Sequence, residues 1–303
     1  MILCTAINHC LCDGIGTSQF LHAWAQLTRE PNTELTIVPF HGRHVLKPRD
    51  PPQVHFTHPT YTRTNPTVDL HMSIMQSQAL VATSFTFGPS DVVRLKKQCV
   101  PSLKHVTAFE TVAAHTWRAW VKSLNPCPTL TAKLLFSVNV RKKVSLPEGY
   151  YGNGFVLACA ESTVRDLVAV NNNNNLFHGL KLVQQAKASL DGDGYIRSMV
   201  DLLEDKTVRV DLSTSLVISQ WSRLGLEDVD FGEGKPLHMG PLTSSVYCLF
   251  LPVVGDANAV RVLVSVPESV VESFRYHMVV EDSCQKYEYG DVNANGYHVQ
   301  RLI

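Results

Sequence analysis

The stretch ILCTAINHCLCDG, residues 2–14, sets an apolar run against a single histidine, His9, with Asp13 and Gly14 following four and five residues later. Ile2, Leu3, Ala6 and Ile7 fit a buried strand, so His9 is expected where a strand ends and the chain turns, on a rigid support for a reactive side chain. Histidine is the residue that titrates near neutrality, and from such a turn it can take a proton from an attacking hydroxyl. On these residues alone the plainer reading, a core histidine satisfied by its aspartate, is slightly favoured. The rest of the chain decides between them.

Working outward, Gly16-Thr17-Ser18 offers a helix cap, and Phe20, Ala23, Trp24 and Leu27 recur at helical spacing ahead of Pro31. Strand, histidine turn and amphipathic helix then make one βα unit. Between residues 39 and 65, Pro48, Pro51, Pro52 and Pro59 break any regular element and predict a linker over the surface. Its His41, His44, His55 and His58 are expected to be solvated rather than metal ligands, because no carboxylate or cysteine joins them at ligand spacing.

Beyond the linker, strands are expected at 80–87, 134–140, 155–160, 215–220, 246–251 and 261–266. Helices are expected at 90–97 behind a Ser90 cap, from 107 through Val121 under the capping box Thr107-x-x-Glu110, at 268–278 after Pro267, and, with a break, over 180–203. The asparagine run at 171–175 reads as a loop tip. DGDG at 191–194 reads as a plain turn, since the glutamate that closes a calcium loop is absent at its position. The class is mixed α/β with an antiparallel or mixed sheet.

With 45% hydrophobic residues in 303, the chain has ample material for one large core or two modest domains. Lys and Arg balance Asp and Glu at 27 each, which leaves no electrostatic footprint for nucleic acid or an anionic membrane surface. Eight cysteines lie scattered in apolar runs without ligand-spaced pairs, which fits free thiols in the cytosol, with Cys10 and Cys12 packed beneath the turn and no metal. No stretch has the length of a membrane span. A monomer is expected. A chain that opens inside a strand, with its histidine already at position 9, also suggests that something upstream is missing.

HxxxDG at His9 to Gly14, NVR at Asn139 to Arg141, YYGNG at 150–154 and DFGEG at 230–234 follow one another with TAFETVAAHTWRAW, SQWSRLG and PLTSSVYCLFLP in between or behind them. This series, from Ala6 to about Met278, resembles the plant BAHD acyl-CoA-dependent acyltransferases. The resemblance implies a two-domain, chloramphenicol-acetyltransferase-like α/β fold with mixed sheets. Residues 1–38 would be the remnant of an incomplete first domain, 39–65 the crossover and 66–303 the second domain, with a channel between the halves.

It further implies acyl transfer from acyl-CoA, a co-substrate rather than a resident cofactor, to a hydroxyl or amine acceptor, with His9 as general base. Asp13 would belong to the catalytic turn and form a structural ion pair with Arg141, since a buried carboxylate without a cation is costly. Asp230 would be either a second catalytic carboxylate, as in the family, or, lying after a strand in a glycine-bounded loop, the residue that organises that loop at the channel, which is the favoured reading. Tyr150, Gly152, Asn153, Gly232, Gly234 and Lys235 would be the contacts to CoA; the alternative for each is a plain tight turn, and for Lys235 taken alone that alternative is favoured. The likeness leans toward long-chain or hydroxylated aliphatic acceptors. Two departures stand out: Glu233 replaces the tryptophan of the family's DFGWG, and the family's long stretch upstream of HxxxD is absent. They keep open an alternative, a truncated and catalytically silent binding protein of the same fold.

Overall fold

A computed structural model describes residues 2–63, 77–99, 105–169, 176–190, 192–241, 244 and 247–279. In chain order its elements are α1 (Gly14–Arg29), a 3-10 turn at Arg43–Leu46, β1 (Tyr61–Thr62), β2 (Leu80–Phe87), α2 (Pro89–Lys97), α3 (Ala108–Leu124), β3 (Thr131–Asn139) and β4 (Phe155–Thr163). Then follow α4 (Val164–Val168), α5 (Phe177–Ala188), α6 (Asp193–Leu202), β5 (Arg209–Val210), β6 (Ser215–Gln220), a 3-10 turn at Leu226–Asp228, β7 (Tyr247–Val253), β8 (Asp256–Pro267) and, after one more 3-10 turn, α7 (Val271–Met278).

Six strands make one mixed sheet in the order β2-β8-β7-β6-β3-β4. β6 runs parallel to both β3 and β7, and the other pairings are antiparallel. The register follows from alternation: in β8, Val260, Val262, Val264 and Val266 turn to the core while Arg261, Leu263 and Ser265 between them do not. α3 crosses the covered face and is buried almost all round, with Trp117 fully enclosed beside Phe136, Phe250 and Phe274. Each such ring contributes on the order of 1.5–3 kcal/mol by burial. Its start is the capping box: the Thr107 hydroxyl accepts from the Glu110 amide at 3.2 Å, and the Thr107 amide donates to the Glu110 carboxylate at 3.0 Å. The broken helical stretch over 180–203 is the pair α5 and α6.

Three expectations are corrected. Residues 2–7 form no strand and are exposed, Ile2 by 92%. An apolar run becomes a strand only when another backbone pairs with it, and none does among the described residues. α1 begins at Gly14 rather than at 17 or 18, because Asp13 is the residue whose side chain reaches a free helix amide. Its Phe20, Trp24 and Leu27 face outward, not into a core.

The 39–65 segment is also more than a solvated linker. His58 is buried, shares a hydrogen bond with the Ser198 hydroxyl at 3.0 Å and lies 4.6 Å from the Tyr195 ring. The enclosed carboxylate of Asp201 collects the Arg49 amide and guanidinium and the Gln53 amide at 2.7–2.8 Å. The polar groups that α6 buries need partners, and the crossing segment supplies them. The asparagine run at 171–175, part of DGDG and the tail beyond 279 lie outside the described residues.

Candidate active site

Asp13 is the hinge of the opening stretch. Its Oδ1 accepts from the Gly16 amide at 3.0 Å and Arg141 Nη2 at 2.9 Å. Its Oδ2 accepts from Arg141 Nη1 at 2.8 Å and the Gly154 amide at 2.9 Å. With both oxygens doubly engaged and 5% of the residue exposed, this carboxylate has nothing left to offer a substrate. Arg141, which follows β3, spends two further donors on the carbonyls of Tyr150 at 3.1 Å and Gly152 at 2.8 Å. The glycines of this clamp are there for space: a Cβ on Gly16 would stand 1.9 Å from the Tyr151 oxygen, and one on Gly154 would stand 2.8 Å from the Arg141 guanidinium.

His9 rides on the outer side of the turn. It is exposed, its ring lies edge-on to Phe155 with centroids 6.0 Å apart, and its carbonyl accepts from Asn153 Nδ2 at 2.8 Å. The carbonyls of Cys10 and Leu11 accept from Arg43 at 2.9 and 2.5 Å. Cys12 is buried under the turn as expected, whereas Cys10 is exposed. One short loop thus exposes its imidazole and buries its carboxylate.

This geometry reassigns the YYGNG stretch. Tyr150 is buried, and burial raises its phenol above the usual range; its carbonyl and that of Gly152 hold Arg141, and Asn153 holds the backbone of His9. These residues build the histidine turn.

Asp230 stands elsewhere. Its Oδ1 accepts from the amides of Gly232 at 2.7 Å and Gly234 at 2.9 Å, and those two bonds, the first above all, hold it below the ordinary carboxylate range. Gly232 and Gly234 have φ of 108° and 92°, conformations that favour glycine. The loop is tied along α1 by Ser18 and His22, which donate to the carbonyls of Leu224 and Gly225, by Trp24 packed on Phe231 at 5.3 Å, and by Arg29, which donates to the Asp230 carbonyl.

Asp13 caps the first turn of this helix and Arg29 is its last residue, so the two ends of its 16 residues lie about 24 Å apart. Asp230 is therefore not brought to His9; it folds its own loop. Lys235 is exposed and paired with Asp228 at 2.7 Å. Among the described residues no group of three or more His, Cys, Asp or Glu is arranged to hold a metal. Arg43 is the residue that sequence reasoning missed: an arginine in a proline-rich segment carries no spacing signal.

A mixed-sheet α/β chain with its HxxxDG turn clamped to the residues after β3 is of the BAHD acyltransferase class. The profile of the transferase family matches residues 1–280. Omega-hydroxypalmitate O-feruloyl transferase of Arabidopsis thaliana is 33% identical over 283 residues, covering 90% of this chain and 60% of that protein. Fatty alcohol:caffeoyl-CoA acyltransferase of the same plant is 32% identical, covering 90% and 63%. Among solved structures, vinorine synthase superposes with a TM-score of 0.62 at 20% identity over 88% of this chain and 59% of its own. F. graminearum TRI101, complexed with coenzyme A and deoxynivalenol, superposes with a TM-score of 0.66 at 17% identity over 88% and 63%; both likenesses bear on the fold. The chain belongs to the transferase family, as a BAHD-type member. It spans about 60% of the length of these curated relatives.

Proposed function

We propose that this chain carries the base of an acyl-CoA-dependent O-acyltransferase. The acceptor hydroxyl attacks the thioester carbonyl while His9 takes its proton; the tetrahedral intermediate then collapses, expelling the CoA thiolate, which receives that proton from His9. No covalent enzyme intermediate is needed, and holding both substrates at one imidazole supplies much of the remaining rate. The observation that carries this reading is the division of labour in the turn. Asp13 is wholly consumed by Arg141, Gly16 and Gly154, and of the motif's His and Asp this leaves His9 as the exposed proton acceptor.

On this reading residues 1–38 belong to a first domain, 39–65 to the crossover and 66–303 to the second domain. The named activities of the Arabidopsis relatives support a hydroxycinnamoyl donor and a long-chain alcohol acceptor. The described cysteines are free thiols, which supports a cytosolic site of action. No helix among the described residues is long and apolar enough to cross a membrane.

A second reading, a silent binding protein of the same fold, is favoured by the exposed Phe20, Trp24 and Leu27 on α1 and the exposed apolar residues 2, 3 and 7. One experiment separates the two. The chain is incubated with feruloyl-, caffeoyl- and acetyl-CoA and a fatty alcohol, and free thiol is followed beside a His9→Ala control. Thiol release that needs His9 supports the enzyme; equal release in both proteins rejects it.

A further inference from the structure

Arg43 lies in the crossover segment, outside every motif, and is exposed. Its guanidinium nevertheless reaches over the Tyr151 ring, 5.3 Å from the centroid, to donate to the carbonyl of Cys10 at 2.9 Å and that of Leu11 at 2.5 Å. The carbonyl just before these, that of His9, is held by Asn153 at 2.8 Å. Three successive carbonyls that neither helix nor sheet employs are thus each bonded to a side chain from a distant part of the chain.

On the inner side of the turn, the amides of Cys10 and Leu11 both return to Asn8 at 2.9 Å. A peptide unit is planar, so fixing its carbonyl fixes its plane. Holding the planes after His9, Cys10 and Leu11 therefore sets the backbone that aims the imidazole. The segment carrying Arg43 is itself pinned: the Phe40 amide donates to Gly149 at 2.9 Å, and His41 bonds the Tyr151 hydroxyl at 3.2 Å.

We infer that Arg43 is a positioning residue for His9, through which docking of the crossover segment on Tyr151 sets the placement of the imidazole. This rests on the reading of His9 as the base. Asp13 and Arg141 anchor the floor of the turn, and Arg43 with Asn153 fixes the backbone of residues 9–11. Lysine cannot replace the function fully, because one ammonium on a flexible stem does not present the rigid fork that bridges two adjacent carbonyls.

The test compares the 303-residue chain with Arg43→Ala and Arg43→Lys. Thiol release from feruloyl-CoA with a fatty alcohol, the urea midpoint, and amide hydrogen exchange over residues 8–16 are measured for each. The expected result is a fall in kcat of about tenfold to a hundredfold in Arg43→Ala. KM for the acyl-CoA and the urea midpoint stay at their wild-type values, exchange at residues 10–12 is faster, and Arg43→Lys is intermediate.

Unchanged kcat, or a loss of kcat matched by a fall in the urea midpoint, overturns the inference. Should the wild-type chain release no thiol, the acyltransferase reading of this chain fails, and hydrogen exchange decides about Arg43 alone. Faster exchange confined to the turn sustains its hold on the His9 backbone, and unchanged exchange removes it.

Discussion

Asp13 and Arg141, 128 positions apart, meet through two oxygens and two nitrogens at 2.8 and 2.9 Å beneath the His9 turn. The arginine side chain is 13% exposed and the aspartate 6%. Removing one partner therefore strands the other in a poorly solvated place. Asp13→Asn is expected to cost about 3–5 kcal/mol of stability. The pair of changes Asp13→Asn with Arg141→Met is expected to recover at least half of that, read as urea midpoints in a double-mutant cycle. An Asp13→Asn protein as stable as wild type but inactive would give the carboxylate a chemical role instead.

The glycines separate by cause. A Cβ on Gly16 meets a backbone oxygen at 1.9 Å, whereas one on Gly234 meets nothing within 4 Å and is opposed only by a φ of 92°. Gly16→Ala is expected to lose about 3 kcal/mol or more, or to fail to accumulate as soluble protein. Gly234→Ala is expected to lose about 1–3 kcal/mol. Thermal unfolding of the two variants decides, and the reverse ranking would refute the close packing of Tyr151 on α1.

Acid stability has a specific source. His115 is buried, with Nε2 donating to the Met278 carbonyl at 3.1 Å, and burial first, with Arg118, His277 and Lys122 adding to it, pulls it from its ordinary 6.5 to about 4. The unfolded chain then binds the extra proton more readily. Stability from this group is intact above pH 6.5 and falls as pH drops toward 4, by roughly 3 kcal/mol in all. In His115→Leu this part of the slope is expected to vanish from urea midpoints taken between pH 7 and 4.

Glu110 acts in a lower window. Burial pushes it up, but Lys187, the Thr107 amide and Gln184 outweigh burial and hold it below its usual value. Its contribution is present above pH 4.5 and is lost as pH falls through the lowered pKa. The Glu110→Gln protein is expected to be less stable than wild type at pH 7, with the difference narrowing below pH 4.5 when urea midpoints are compared.

The aspartate of the DFGEG motif is predicted to differ from the histidine in kinetic effect. His9→Ala is expected to lower kcat by about 100-fold to 10,000-fold. Asp230→Asn, which keeps an acceptor for the Gly232 and Gly234 amides, is expected to stay within about threefold of wild type, well short of what loss of an acid or base costs. A loss comparable to that of His9→Ala would bring Asp230 into the chemistry despite its place at the other end of α1.

Much was legible in the sequence because its causes are local. Thr107 and Glu110 lie within one helical turn of each other, so their spacing is enough to predict the cap that forms. The valines of β8 alternate because a strand does, and the expected strands at 80–87 and 215–220 are β2 and β6 residue for residue. HxxxDG, NVR, YYGNG and DFGEG, in that order and with the segments around them, carried the resemblance to the family.

What the tertiary structure decided depends on groups far apart in the chain. Residues 2–7 have the composition of a strand, but a strand needs a neighbouring backbone, which composition does not specify. His58 is buried because Ser198, 140 positions on, takes its nitrogen. Whether Asp13 or His9 faces solvent was settled by Arg141 and Gly154, and the distance from His9 to Asp230 by the length and packing of α1. The type of each element follows from short-range sterics and hydrogen bonds. The direction of a reactive side chain depends on which distant donors and acceptors reach its backbone, and only the folded chain brings those together.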